Sequence, residues 1–301
     1  MSVEIFSFGA CLLSAPANEI IRSNRATGSW SRHSKTSGPA VYTLDEALQI
    51  VRFMRGDLDI PPLFRNLCCL DRNEDGRTLK ACFDSADVVL IEVNSPVAIR
   101  YSQFALCRSV IIGSVLAPLR QISTDMARMT NAWYNQAMMA ENSEVREKIA
   151  QVLARAVTDD MPDADLARAV LVDARPYRRG LAALVEGLAE LRDAFRAPLG
   201  VMTYTHQYMP DGRPLPWPAD FVDQTIAAAQ KLDLPVFKPS EFVAKYGPKR
   251  ALMPDWAHYQ PEFAVALGDS LWEFIENLTN ATLMAGPGGT GAELAATHKA
   301  A

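Results

Sequence analysis

Two short stretches, far apart in the chain, carry residue types that could act together. The first is Val3-Glu4-Ile5-Phe6-Ser7-Phe8-Gly9-Ala10-Cys11. An apolar run ends at Gly9, and a helix-compatible segment follows. Strand, tight turn and helix lift one side chain above a parallel sheet. Glycine permits the sharp turn because it has no Cβ to clash. A thiol just past that turn sits at a helix N-terminus, where a thiolate or an oxyanion is favoured. The second stretch is Asp255-Trp256-Ala257-His258. An aspartate three residues before a histidine can orient the imidazole and fix its tautomer. Cys11, His258 and Asp255 are therefore candidates for nucleophile, base and orienting acid. A lone cysteine beside an apolar strand is also a common small buried hydrophobe. The Asp-x-x-His stretch is what favours chemistry.

Between these stretches lies Asp87-Val88-Val89-Leu90-Ile91-Glu92-Val93-Asn94-Ser95. With Gly9-Ala10-Cys11 and Asp255/His258 it resembles the SGNH (GDSL-like) hydrolase superfamily. There the nucleophile follows the first strand, an asparagine follows the third, and Asp-x-x-His precedes the last helix. The family's Gly-Asp-Ser is Gly9-Ala10-Cys11 here, similar to smaller branches with cysteine at that place. Some of those are acetyltransferases of capsule and glycan biosynthesis. The resemblance implies an α/β fold: three layers, α/β/α, with a mainly parallel, flavodoxin-like sheet. It implies an oxyanion hole from the N–H of Cys11, the N–H of Gly38 and the Asn94 carboxamide, with Gly76 as the alternative glycine. Gly38 and Gly76 read equally as turn glycines, and Asn94-Ser95-Pro96 as a turn.

These residues need elements to hold them. Residues 3–9 and 87–93 read as buried strands, the second without alternation, as in a central parallel strand. Residues 17–24 read as a short helix, and 25–39 as a polar, basic loop. A helix after Thr43 carries Leu44, Ala47, Leu48, Val51 and Met54 on one stripe. Residues 57–85 read as an inserted segment, and about 97–197 as a helical insertion. Leu199 to His206 and Leu234 to Phe237 are further strands, and a helix runs from Pro261 to Leu278. One domain over 1–284 with that insertion is expected, followed by a disordered tail, 285–301.

Tyr204 and His206, at a strand's carboxyl edge, are candidate substrate contacts, as is Arg32 in the basic loop. Arg25, Arg32, His33 and Lys35 gently favour a phosphate-bearing donor such as acyl-CoA; a solvated loop is the plainer reading. The function expected is acyl transfer by an esterase, an acetylesterase or an acetyltransferase. The substrate is a glycan or a small acylated molecule. The alternative is an inactive glycan- or ligand-binding protein on the same scaffold. No metal and no required cofactor are expected.

The net charge of −5 argues against a general nucleic-acid surface. No window of ~20 apolar residues suggests a membrane span. Positive charge is missing ahead of the first apolar run, so no secretory leader is expected. The five cysteines, Cys11, Cys68, Cys69, Cys82 and Cys107, are odd in number and lack metal-site spacing. They fit a reducing, cytoplasmic setting. A homodimer is compatible with the helical section.

Two motifs read as coincidence. Gly268-Asp269-Ser270-Leu271 falls inside the stripe Phe263, Leu267, Leu271, Phe274, Leu278, which is a helix. Gly286-Pro287-Gly288-Gly289-Thr290-Gly291 lacks the lysine of a phosphate loop.

Overall fold

The computed structural model describes residues 2–30, 40–138, 144–205, 216–256 and 258–285. By internal contacts the chain forms two compact units. The first takes residues 1–44, 75–95 and 180–301, and the second takes 45–74 and 96–179. The described strands are β1 (Val3–Phe8), β2 (Ala26–Trp30), β3 (Val88–Val93), β4 (Val97–Tyr101), β5 (Phe104–Leu106), β6 (Arg175–Arg178), β7 (Leu199–Thr203) and β8 (Val236–Phe237).

The first unit holds a sheet in the order β2-β1-β3-β7-β8, with every pair parallel. Counting only its own strands, that is second, first, third, fourth, fifth: the flavodoxin-like order. The direction of winding reverses between β1 and β3. In open sheets the crevice at the carboxyl ends there is where ligands bind. All six residues of β3 are buried, so both of its faces are covered.

Side chains alternate across the sheet. Phe6 and Phe8 meet Phe83 and Phe195 on one face, where Phe83 and Phe195 stack at 3.8 Å between centroids. Ile5 and Leu90 point the other way, into a core with Leu12, Leu13, Phe263, Leu267 and Leu271. Helix α1 (Cys11–Arg22) and the long helix Pro261–Ala285 form that layer. Helices on both faces make the three layers.

Two local expectations change here. Helix α1 begins at Cys11, six residues before the helix read from the sequence, and holds Pro16 in its second turn. Proline there removes one helical hydrogen bond. Burial of Leu12, Leu13, Ala17 and Ile20 on one stripe outweighs that loss. Strand β2 lies where a polar loop was expected. It sits at the sheet edge, paired by backbone to β1 with a register shift between Ile5 and Phe6. An edge strand has only one neighbour and needs little apolar pattern.

The second unit has its own antiparallel sheet, β5-β4-β6. Around it lie most of α2 (Leu44–Arg55) and the helices Thr124–Met138, Glu144–Ala156 and Ala164–Asp173. The section 97–197 carries these three short strands beside its helices. Its last helix, Leu181–Ala194, belongs to the first unit. The α2 stripe from Leu44 to Met54 is buried as expected, but Asp45, Glu46 and Gln49 are buried too. Asp45 is held by Arg179 and Arg100. Gln49 donates to the Ala105 carbonyl at 2.9 Å and accepts from the Ala105 N–H at 2.8 Å.

Candidate active site

The turn from β1 into α1 puts Cys11 at the first position of a helix, half-buried, at the carboxyl end of the sheet. Gly9 is required by close approach. A Cβ there would stand 2.7 Å from Leu13 Cδ2, 2.8 Å from Leu13 Cβ and 3.2 Å from Glu92 Cβ.

Glu92 completes the turn, and the sequence reading gave it no role. It is fully buried at the end of β3. Its Oε2 accepts the Ala10 N–H at 2.9 Å and the Leu13 N–H at 3.0 Å. Its Oε1 accepts from Asn94 Nδ2 at 2.9 Å. Burial raises its pKa, against the pull of those three donors. The available signal was one carboxylate inside an otherwise unbroken apolar strand. Asn94 lies where expected, just past β3, but one of its amide hydrogens is spent on Glu92.

The second stretch forms a tight reversal. Leu252 and Tyr259 make an antiparallel bridge. Met253 N–H donates to the His258 carbonyl at 2.7 Å, and Gln260 N–H to Ala251 at 2.8 Å. Asp255 and His258 sit at the tip. Asp255 Oδ1 accepts the His258 backbone N–H at 3.1 Å, and its Oδ2 lies 2.6 Å from His258 Nδ1. That bond leaves Nε2 as the other working nitrogen. The pair is half exposed, 49% for His258 and 51% for Asp255. Trp256, between them, has φ of 57°, an uncommon conformation for a bulky residue.

Tyr259 ties this reversal to the end of β7. Its phenol contacts the Thr205 hydroxyl just past β7. Burial drives its pKa well above the ordinary value, and Glu92, Tyr204 and Cys11 lie near enough to add to that. The residue after His258 thus sits in the electrostatic neighbourhood of both Cys11 and Glu92.

Gly38, Arg32 and His206 lie outside the described residues. Tyr204 is 8% exposed and packs in the core. Gly76 opens a helix capped by Asp75, whose carboxylate accepts from the Arg77 and Thr78 N–H groups. Arg25 pairs with Asp269 on the long helix. Among the described residues no group of His, Cys, Asp and Glu is arranged to hold a metal ion. No described helix is long and apolar enough to cross a membrane.

A second set of thiols lies in the second unit. Cys68, Cys69 and Cys107 are fully buried. The Cys69 thiol draws the Cys107 pKa down to about 7, while burial pushes Cys68 up to about 12. Enclosure keeps a substrate from Cys107; Cys11 keeps an open side. The literal Gly268-Asp269-Ser270-Leu271 is mid-helix, and the Ser270 hydroxyl faces the Ala266 carbonyl one turn back, 3.4 Å away.

Comparison with known proteins gives a family and little more. The profile of the TviD N-terminal domain matches residues 3–274. No curated protein matches. One solved crystal structure aligns over 91% of this chain and 96% of its own, at 11% identity and a TM-score of 0.37. The inhibitor-bound aryl esterase of M. smegmatis aligns over 92% of this chain and 100% of its own, at 13% identity and a TM-score of 0.29.

Proposed function

The chain belongs to the TviD N-terminal domain family, and on that premise we propose that it is an acyl-transfer enzyme with Cys11 as nucleophile, His258 as general base and Asp255 as the group orienting His258. The carrying observation is the hydrogen-bonded Asp255–His258 pair on a strained reversal in the same unit as Cys11, which opens α1 at the carboxyl end of the parallel sheet. The family points to acetyl as the acyl group. The resemblance to Cys-type acetyltransferases points to a sugar hydroxyl as acceptor, and acyl-CoA is the donor that a basic loop would suit.

His258 Nε2 takes the Cys11 proton as sulfur adds to the acyl carbonyl. The tetrahedral oxyanion is met by the Cys11 N–H and the second amide hydrogen of Asn94, each worth about 3 kcal/mol in the transition state. Collapse expels the donor's leaving group, which takes the proton from His258. His258 then removes a proton from the acceptor hydroxyl, or from water. That oxygen attacks the thioester, and the Cys11 thiol is regenerated. Every proton removed is returned, and no redox step is needed.

The test uses acetyl-CoA or p-nitrophenyl acetate with an acid quench and peptide mass spectrometry. An acetyl increment on the Cys11 peptide is expected. It should vanish in Cys11→Ala, and its formation should slow roughly 10²–10⁴-fold in His258→Ala. Turnover by Cys11→Ala at the parent rate would overturn the proposal.

A further inference from the structure

We infer that Glu92 is a positioning residue that ties the Cys11 turn to the Asn94 carboxamide and governs how readily Cys11 gives up its proton. This rests on the acyl-transfer reading of the same site.

The geometry is specific. One carboxylate oxygen accepts from Ala10 and Leu13, the N–H groups on either side of Cys11 and Leu12. The other accepts from Asn94. A single group therefore sets both proposed oxyanion donors. Three donors converge on Glu92, and only the ionised form can receive all three without presenting a proton of its own. Burial opposes that form. A charge kept in the interior at a cost is retained where it does something that an apolar side chain could not.

The charge also acts on the thiol. The groups bonded to Glu92 are the Ala10 and Leu13 N–H groups of the α1 turn and the Asn94 carboxamide past β3, and its charge also reaches Tyr259 on the 252–259 reversal. Asp255 and His258 lie on that same reversal. A carboxylate bonded to the turn that carries a thiol disfavours the thiolate. It also takes up part of the positive end of α1 that would otherwise support one. Loss of that charge should therefore ease departure of the Cys11 proton.

Glu92→Gln tests this. The new carboxamide oxygen can still accept from Ala10 and Leu13. Its NH₂ then faces Asn94, which must rotate to present its own oxygen and so turns its donor away from where it stood. Iodoacetamide labelling of Cys11, read by peptide mass spectrometry across pH, should show the midpoint falling by about half a unit or more. Acetyl transfer should lose about tenfold or more in kcat, with KM changed less than about twofold. That loss should shrink in an Asn94→Ala background, because both residues act through one carboxamide.

Stability should not follow activity. The folded-state pKa of Glu92 is raised, so its contribution is present below the unfolded pKa and lost as pH rises through the folded value. The neutral variant should therefore melt no lower than the parent at pH 8. A folded variant with an unmoved labelling midpoint and unmoved kcat overturns the inference. So does a variant that cannot fold, since Glu92 is then a structural necessity. A shifted midpoint with no acyl-Cys11 in either protein upholds the coupling and sinks the acyl-transfer reading. Acyl-Cys11 with neither midpoint nor kcat moved sinks the inference alone.

Discussion

Gly9 has no room for a methyl group, and that shortage fixes the site's geometry. A Cβ would meet Leu13 at 2.7 Å on one side and Glu92 at 3.2 Å on the other. Both neighbours belong to the hydrogen-bonded set around Cys11, so neither can move without disturbing it. Gly9→Ala should cost about 1–3 kcal/mol, the usual range for overpacking. The expected reading is a lower melting temperature together with slower Cys11 acylation. A variant as stable and as fast as the parent would show that the turn has slack. Cys11, Asp255 and His258 were singled out as candidates because each belongs to a short local pattern in the sequence. Glu92 was not. Its role depends on two N–H groups about 80 positions away, and no pattern within β3 announces them.

Helices show the same division. The long helix was legible because Phe263, Leu267, Leu271 and Leu278 repeat at its period, and all four are buried. What the stripe hid is the purpose of Gly268. A Cβ there would stand 3.1 Å from the Pro16 carbonyl oxygen and 3.2 Å from Glu19 Cβ, so the glycine lets the long helix close on α1. The residues that spell a serine-hydrolase motif are thus a packing contact and a helix surface. Ser270→Ala should leave acyl transfer within about twofold of the parent, because backbone N–H groups inside a helix cannot form an oxyanion hole. Gly268→Val should instead lower the melting temperature by pressing α1 away from the long helix. Loss of activity in a folded Ser270→Ala protein would reverse the assignment of nucleophile. The strands missed were β2 and β4 to β6. β2 is a polar edge. β6 is Arg175-Pro176-Tyr177-Arg178, largely exposed, with nothing apolar to alternate. Such strands are specified by their partners rather than by their own residues.

At the scale of the whole chain, the second unit was illegible because it is assembled from two separated pieces. Residues 45–74 join 96–179, and the join includes a buried charge. Asp45, on α2, is 5% exposed and bonded by Arg179 and Arg100 from the far piece. Burial alone would raise its pKa, yet the two guanidiniums hold it below the ordinary carboxylate value. A lowered folded-state pKa gives stability that is present above the unfolded pKa and lost as pH falls through the folded one. Glu92 has the opposite sign, so the two buried carboxylates shape the pH–stability curve from opposite sides. Asp45→Asn keeps the side chain's shape and removes its charge, leaving the mostly covered Arg179 and the more exposed Arg100 without their counter-ion. Breaking a buried pair in this way costs about 3–5 kcal/mol. The variant should melt several degrees lower at pH 7. The gap should narrow as pH falls through the lowered folded-state pKa of Asp45, where the parent's own carboxylate takes up a proton. Calorimetry of both proteins from pH 3 to pH 8 decides it. A gap that stays constant over that range would mean that the Asp45 charge does not hold the two pieces of the unit together.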